Sequence, residues 1–428
     1  MPAFGPLAGI RVVDTGRLVA GPWAATYLGE FGAEVIHVEG APFQRPYADP
    51  TRTLPPTLPE GRPSERSVSE SWVQYGRNKL SVGLDFARPS GRDVLLDLLR
   101  RADIWIESSR PGTYDRLGLG DAVVRAAAPR LVIVHVSGYG QSGVPGRIGS
   151  AAFDLTAQAY SGFLALQGEP APAPPTRAGT ALSDTVTGLA AAAAAMMGWA
   201  SVQRTGAGQV VDVAQYEVLF TLLENLALDY FARGVVRGRY GSGHARLSPY
   251  DLLPARDGWV VLAAPTPQTW ARFRPLLGPL GPEWEEMSWR TAHREEVLAR
   301  LTAFAQSRSV AELEELGRAH DVAIQRVNSI AEAAADPHFR AREMFLEWVD
   351  PVAGRVKGAG IAPKFLGTPG AVWRGAPWLG QDNERVLAEG LGYSRARIAE
   401  LRATGVLGED PPPEPTGPAP EGAESVGP

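Results

Sequence analysis

Short, continuous apolar runs alternate with helical segments along the first half of the chain. Residues 9–14 (GIRVVD) and 34–38 (EVIHV) are predicted as buried strands, with a helix between them that opens at Gly21-Pro22 and stops at Gly32. Proline in the first turn of a helix and glycine just after its last turn are typical of helix ends. A strand, a helix and a second strand in this order form a βαβ unit, which favours a parallel α/β sheet.

The alternation of strands and helices continues past this unit. Further strands are predicted at 79–83, 104–106, 131–136 and 209–213, and further helices at 90–101, 152–164, 185–203 and 214–231. Residues 40–71 are rich in Pro, Ser and charged side chains and are predicted to form a long surface loop. Loops of such length commonly cover a functional site.

Length and composition predict two domains. A chain of 428 residues is longer than one hydrophobic core usually holds. We assign residues 1–233 to a large domain, the Gly- and Arg-rich segment 234–247 to a linker, and 248–345 to a smaller domain. Residues 346–410 are predicted to return to the large domain. The last segment, 411–428, has no apolar face to bury and is predicted to be disordered.

Composition also excludes several classes of function. The chain has no Cys, which excludes disulfides, a thiolate zinc site and a cysteine nucleophile, and we predict no metal site. The N-terminal residues lack a signal peptide, and the apolar part of the 185–203 helix is mostly Ala, too weakly hydrophobic to insert into a bilayer. A net charge of −5 with interspersed signs provides no basic surface for nucleic acid or membranes. We therefore expect a cytoplasmic protein that acts on a small molecule.

Asp184 is the strongest candidate for chemistry. It stands just before the long Ala-rich helix in GTALSDTVTGLAAAAAAMMGWASVQR, residues 179–204. One interpretation is an N-cap, because an aspartate there accepts the unpaired N–H groups of the first turn. The other is a nucleophile that the positive end of the helix keeps ionised. Cap statistics alone favour the N-cap, and the residues leave both interpretations open.

Residues 138–143 (GYGQSG) match the G-x-G-x-x-G pattern of dinucleotide sites and follow a predicted strand. A true fingerprint opens a helix whose N-terminus binds the pyrophosphate. Here Val144-Pro145-Gly146 follows instead. A flexible turn is therefore favoured over an NAD site.

Several strings together resemble the class III CoA-transferase family. They are GIRVVD, LGEFGAEVIHVE, RNKLSVGLDF, ADIWIESSRPGTYDRLGLG, HVSGYGQSG and GTALSDTVTG with the following GQVVDV. The resemblance covers residues 7 to about 406. Within the family, the late stretch APKFLGTPGAVWRGAPWLGQD is most similar to the crotonobetainyl-CoA:carnitine branch.

The resemblance implies a fold, a site and substrates. The fold would be α/β, with a Rossmann-like large domain, a smaller α+β domain and an interlocked homodimer. Asp184 would be the catalytic nucleophile, and Arg110 and Arg116 would bind CoA, because a guanidinium donates two hydrogen bonds to phosphate oxygens. The substrates would be CoA esters and a free carboxylic acid, with no permanently bound cofactor. An aspartate with its usual pKa near ~4 needs no general base for attack.

The chain also departs from the family pattern. His37, Leu80 and Ser108 replace residues common in the CoA pocket of relatives, and Val19 replaces a glutamine that contacts substrate in formyl-CoA transferases. Racemases of the family carry a catalytic histidine where this chain has Phe153, which cannot transfer a proton. Gly241-Ser-Gly243 is a candidate source of oxyanion donors, although a hinge is favoured there.

The acid that accepts CoA is predicted to be carnitine or a related betaine. This rests on the likeness of the late stretch, and on aromatic residues near the expected site that could receive a trimethylammonium group, namely Trp23, Tyr139 and Tyr160. The alternatives are a dicarboxylate such as succinate, which would require an arginine at the far end of the substrate, an acyl-CoA racemase, and a CoA-binding protein without turnover.

Overall fold

The structure is a computed structural model that describes residues 2–40, 49–58 and 68–410. Most of the predicted 40–71 loop and the whole predicted disordered tail lie outside these residues. The strands are β1 (Arg11–Asp14), β2 (Glu34–Glu39), β3 (Thr57–Leu58), β4 (Val68–Ser69), β5 (Lys79–Gly83), β6 (Ile104–Glu107), β7 (Val132–Ser137), β8 (Val210–Ala214), β9 (Tyr250–Ala255), β10 (Gly258–Ala263), β11 (Ala323–Arg326), β12 (Phe345–Asp350) and β13 (Gly354–Ala359).

The α-helices are α1 (Ala20–Glu30), α2 (Glu70–Tyr75), α3 (Pro89–Arg100), α4 (Thr113–Arg116), α5 (Asp121–Ala127), α6 (Asp154–Tyr160), α7 (Leu182–Thr205), α8 (Gln215–Thr221), α9 (Leu226–Arg233), α10 (Pro267–Phe273), α11 (Met287–Ala292), α12 (Arg294–Gln306), α13 (Val310–His320), α14 (Ile330–Ala335), α15 (Pro337–Ala341) and α16 (Arg395–Ala403). A π-helix spans Arg385–Gly390. The contacts divide the described residues into two compact units. Those within Met1–Ser161, Gly179–Glu224 and Arg342–Pro428 form the first unit, and those within Gly162–Ala178 and Asn225–Ala341 form the second.

The first unit is built on a parallel sheet with the strand order β5-β2-β1-β6-β7-β8. The chain runs outward from β1 to β5, then returns to place β6 on the other side of β1. This is the strand order of a Rossmann fold, in which ligands bind at the carboxyl ends of the strands where the order reverses. The predicted α/β class with a parallel central sheet is confirmed.

Both faces of this sheet are covered by helices, which explains why its strands read as continuous apolar runs. Successive residues of a strand point to opposite faces. Val12 accordingly packs with α1 and α7, whereas Val13 packs with α3 and α16. A substitution in β1 therefore affects one of two separate cores.

Helix α7 packs closely on α1 and β7 because its contact face consists of small residues. A Cβ atom at Gly188 would lie 2.7 Å from Cδ1 of Trp23, and one at Gly198 would lie 2.6 Å from a methyl group of Val132. Among the described helices, α7 is long and apolar enough to meet a length and hydropathy criterion for a membrane span, with a mean hydropathy of 1.4. Buried core helices of soluble proteins meet the same criterion, so it does not by itself indicate a membrane span.

The second unit contains an antiparallel sheet of the order β11-β10-β9 and helices α9 to α15. Trp270, Phe273 and Leu301 are among the buried residues of its core. This unit begins earlier than the predicted small domain and includes residues 162–178. The reason lies in the predicted linker: Gly241 N–H donates to the carbonyl of Gly168, and Arg239 donates to the carbonyls of Glu169 and Ala173.

Residues 342–410 pack within the first unit. They contribute the hairpin β12–β13, the π-helix and α16. Asp382 accepts a hydrogen bond from the backbone N–H of Ser81 in β5, and Asn383 accepts one from that of Gly83. These bonds cover the outer edge of the parallel sheet with late residues of the chain.

Candidate active site

A cavity of about 470 Å³ opens at the carboxyl ends of β1, β6 and β7. Three arginines, Arg17, Arg110 and Arg116, line it, and no acidic side chain occurs among its described lining residues. The cavity therefore brings together both arginines predicted to bind CoA. Its position between β1 and β6 is the crevice that binds ligands in a Rossmann fold. A positive cavity there suits a polyanion such as the phosphates of CoA.

A buried charge network holds the start of the segment after β6, which carries Arg110 and Arg116. Glu107, the last residue of β6, accepts a hydrogen bond from the backbone N–H of Ser109 at 2.6 Å. His135 contacts Glu107 at 2.6 Å and Asp121 at 2.9 Å. Burial alone would lower the pKa of His135, yet the hydrogen bonds to the two carboxylates raise this pKa to about 10. His135 is therefore a cation at neutral pH and fixes the first residues of the loop.

If Arg116 binds a phosphate of CoA, replacing it with alanine should raise KM for CoA esters about ten- to a hundredfold, because one charged hydrogen bond would be lost. A contact remote from the reacting thioester contributes uniform binding, so kcat should change less than KM. Initial rates measured against donor concentration give both constants. Arg100→Ala, which removes an exposed arginine paired with Asp97 on α3, is the control. An unchanged KM in Arg116→Ala would place the phosphate site elsewhere.

Asp184 lies within the first turn of α7 and not at its N-cap. The helix begins at Leu182 and its N-cap residue is Ala181. A carboxylate from another helix performs the capping, because Oδ1 of Asp154 accepts the backbone N–H of Ser183 at 2.7 Å. Gln215, the first residue of α8, donates its side-chain amide to Oδ1 of Asp184. The N-cap interpretation of Asp184 is therefore wrong, and its carboxylate is available for another role.

The carboxyl group of Asp184 has a raised pKa. Burial is the largest cause and the negative charge of Asp154 the second, whereas the hydrogen bond from Gln215 acts in the opposite direction. Together they raise the pKa of Asp184 to about 6, so the usual value assumed from the sequence was wrong. At pH 7 about nine-tenths of Asp184 is still ionised. Such a shift, together with the position of Asp184 beyond the sheet, is typical of functional carboxylates.

The raised pKa predicts a pH profile. If ionised Asp184 attacks the thioester, kcat/KM should rise with pH and reach half of its plateau near pH 6, not near 4. Asp154→Asn removes the second negative charge, which lowers the pKa of Asp184 and moves the midpoint to lower pH. The asparagine can still accept the N–H of Ser183. A midpoint that stays in place in Asp154→Asn would contradict this electrostatic coupling.

The other residues singled out from the sequence occupy different places. Phe153 precedes α6, is 64% exposed and lines the arginine cavity, directly before Asp154. Asp184 is not among the described residues that line this cavity. In the glycine pattern, Gly138 and Gly140 line the cavity, but the next helix starts only at Asp154. The pattern therefore lacks the helix N-terminus of a dinucleotide site, as the turn interpretation requires.

The aromatic candidates fall into two groups. Tyr139 and Tyr160 are packed edge to face, with ring centroids 5.1 Å apart. Trp23 contacts Tyr75 with centroids 5.7 Å apart. Burial and the charge of Asp184 raise the pKa of Tyr75, which shows that the second group lies in the field of the candidate nucleophile.

A fully buried polar cluster supports the sheet. Lys79 donates to Oδ2 of Asp14 at 2.9 Å and to the carbonyl of Pro22 at 2.8 Å. His37, one of the departures from the family pattern, contacts the same oxygen at 2.9 Å. Burial alone would raise the pKa of Asp14, yet Lys79 and His37 hold this pKa well below its usual range. The cluster joins β1, β2 and β5 through the contacts of Lys79 and His37 with Asp14.

Sequence reasoning missed Arg17, Gln215 and Asp154. Arg17 follows β1 and Gln215 follows β8, so both stand just beyond the carboxyl end of a parallel strand. That position is where α/β proteins place ligand-binding residues, and it was a usable signal. For Asp154, the only indication in the sequence was its position directly after Phe153, the place of the catalytic histidine in the family's racemases.

Comparison with known proteins gives a consistent result. A family model described as CoA-transferase family III matches residues 7–383. The bile acid CoA-transferase BaiK of Clostridium scindens is 35% identical over 415 residues, or 95% of this chain and 90% of that protein. The succinyl-CoA–D-citramalate CoA-transferase of Chloroflexus aurantiacus is 32% identical over 408 residues, which cover 94% of this chain and 98% of that protein. A crystal structure of a CAIB/BAIF family protein from Brucella suis matches with a TM-score of 0.77 and 29% identity, over 90% of this chain and 99% of that one. The chain therefore belongs to CoA-transferase family III and is a CoA-transferase.

Proposed function

We propose that this CoA-transferase works through covalent intermediates on Asp184. The observation that carries the proposal is the environment of that carboxylate. It is mostly ionised at neutral pH in spite of its burial, and Gln215 holds one of its oxygens. Its other oxygen, Oδ2, receives no hydrogen bond from the residues that the structure describes. A partly desolvated carboxylate with one free oxygen is suited to nucleophilic attack.

The proposed reaction has four steps. Oδ2 of Asp184 attacks the carbonyl carbon of the acyl-CoA, and the CoA thiolate leaves from the resulting tetrahedral intermediate, which forms a mixed anhydride. The thiolate then attacks the carbonyl carbon of Asp184, which forms an aspartyl-CoA thioester and releases the first acid. The carboxylate of a second acid attacks this thioester and expels the thiolate again. The thiolate finally attacks the acyl carbon of the second anhydride, which releases the new acyl-CoA and regenerates Asp184.

Two other functions fit the same fold less well. An acyl-CoA racemase moves a proton, and Phe153 supplies no group for that transfer. A CoA-binding protein without turnover would leave the raised pKa of Asp184 without a purpose. The purified protein should be offered acyl-CoA donors together with free acids, and the CoA esters followed by mass. Racemisation without CoA exchange, or no reaction with any pair, would contradict the proposal.

For the accepting acid, the names of the relatives offer a bile acid or D-citramalate. A betaine such as carnitine is a second candidate, which Trp23 and Tyr75 favour. Tyr75 lies in the field of Asp184 and Trp23 packs against Tyr75. Aromatic faces bind trimethylammonium groups, with up to about 2 kcal/mol from one desolvated contact. Competition between carnitine and succinate for one donor separates a cationic from an anionic acceptor.

We also propose that the chain forms a homodimer. On α9, Leu228 is 70% exposed and Phe231 is 83% exposed. Residues three apart lie on one helix face, so this face is apolar, and the described residues of its own unit leave it uncovered. An uncovered apolar face of this kind is typical of protein interfaces. A monomer mass by light scattering at low micromolar concentration would contradict a dimer.

A further inference from the structure

The loop after β7 places Arg147 on a cluster of three tyrosines. The guanidinium carbon of Arg147 lies 4.6 Å from the ring centroid of Tyr160 and 5.4 Å from that of Tyr139. The ring of Tyr216 lies 5.1 Å from that of Tyr160 and 6.2 Å from that of Tyr139. Such cation–π contacts hold the arginine in one position although it lies at the surface.

Stacking occupies the faces of a guanidinium and leaves its edges free. The five N–H donors of arginine lie in the plane of the group, so contacts with ring faces do not consume them. Among the residues that the structure describes, no carboxylate forms an ion pair with Arg147. The side chain is therefore held in place with its hydrogen-bonding edges available to a ligand.

This cluster lies beside the candidate active site. Arg147 and the three tyrosines line a cavity of about 410 Å³, a size suited to a small organic ligand. Tyr139 also lines the cavity of Arg110 and Arg116, so the two cavities share a wall. Tyr216 directly follows Gln215, which donates to Asp184. The first residue of α8 therefore contacts Asp184, and the second lines the cavity of Arg147.

We propose that Arg147 binds a carboxylate at the far end of the acyl group, and that the acids this enzyme handles include dicarboxylates. The inference rests on the proposed role of Asp184, since one carboxyl group reacts there while the other pairs with Arg147. A planar guanidinium matches a carboxylate with two parallel hydrogen bonds. The same geometry disfavours a quaternary ammonium at this cluster, because Arg147 already covers the faces of Tyr139 and Tyr160 with positive charge.

The test is a binding experiment with a pair of matched ligands. Succinyl-CoA carries a terminal carboxylate and butyryl-CoA carries a methyl group in its place. Both are titrated by calorimetry into the Asp184→Asn protein, in which turnover is expected to be blocked. We expect succinyl-CoA to bind about ten- to a hundredfold more tightly, and Arg147→Leu in the same background to abolish that difference. Affinity for butyryl-CoA should stay unchanged in Arg147→Leu.

A control variant sharpens the result. Arg204 lies in the last turn of α7, at the opposite end from Asp184, and Arg204→Leu should leave both affinities unchanged. Equal affinity for the two esters, or equal weakening of both by Arg147→Leu, would overturn the assignment. Failure of the proposed transferase chemistry would be seen separately, as an absence of CoA exchange in the unsubstituted protein.

Discussion

Replacing Asp184 with asparagine is expected to reduce CoA transfer by a factor on the order of a thousand or more, because the substitution removes the proposed nucleophile. Asparagine keeps the shape of the side chain and an oxygen for the amide of Gln215. Transfer is measured as the exchange of CoA between two acids, followed by mass. In the unsubstituted protein, hydroxylamine added with an acyl-CoA donor should convert Asp184 to a hydroxamate, located by peptide mass.

The control is chosen to separate chemistry from folding. The raised pKa of Asp184 means that the folded state favours the protonated form of this residue. Protonated Asp184 therefore stabilises the folded protein fully below about pH 4, and this contribution is lost as pH rises through about 6. An asparagine that cannot ionise should be at least as stable at pH 7. Asp321→Asn changes an acid whose side chain is 85% exposed and should retain full activity. Near-normal transfer by Asp184→Asn would refute the covalent mechanism.

Replacing Lys79 with methionine is expected to lower the free energy of unfolding by about 3–5 kcal/mol, because breaking a buried ion pair leaves an uncompensated charge. Lys79 and Asp14 are both completely buried, and the ammonium group of Lys79 also donates a hydrogen bond to the carbonyl of Pro22. Unfolding in urea, followed by tryptophan fluorescence, measures the change. The transfer activity of the molecules that remain folded should change little, because Lys79 is expected to act on stability and not on the reaction.

Matched substitutions show whether charge is the cause. Lys357 pairs with Glu347 at 3.8 Å and its side chain is 62% exposed, so Lys357→Met should change stability by about 0.5 kcal/mol or less. Adding Asp14→Asn to Lys79→Met should recover part of the loss, because the unpaired carboxylate is then removed. If Lys79→Met costs no more than Lys357→Met, the buried pair contributes little to stability.

The parallel sheet was predictable from the sequence because burial on both faces favours continuous apolar runs, as at Val12 and Val13. The hairpin β12–β13 was not, since β13 (GRVKGA) mixes Gly, Arg and Lys and offers no apolar run. The predicted helix 214–231 proved to be α8 and α9. Glu224, with a φ of +54°, interrupts it, and a left-handed backbone at a glutamate leaves no mark in composition.

In the candidate site as well, features that depend on residues close in sequence were predictable, whereas contacts between distant residues were not. Arg110 and Arg116 belong to one loop and one short helix, so proximity in sequence was enough to place them together. The position of Asp184 depends on a cap from Asp154, 29 residues earlier, which single-sequence cap statistics cannot anticipate. The contact of Gln215 with Asp184 is long-range in the same sense. The resemblance predicted Asp184 as the nucleophile, but the raised pKa of Asp184 could be obtained only from the folded chain.

The hydrogen bond from Gln215 to Oδ1 of Asp184 has an isotopic consequence. In the proposed reaction, each departing acid carries away one oxygen atom of the aspartate, and each entering acid leaves one of its own in return. Because the amide keeps Oδ1 as the carbonyl oxygen throughout, the exchange is confined to Oδ2. Turnover with an acid whose carboxylate is labelled with heavy oxygen should therefore enrich Asp184 by one atom and never by two, and this one-atom limit would be the signature of an aspartate that does not rotate.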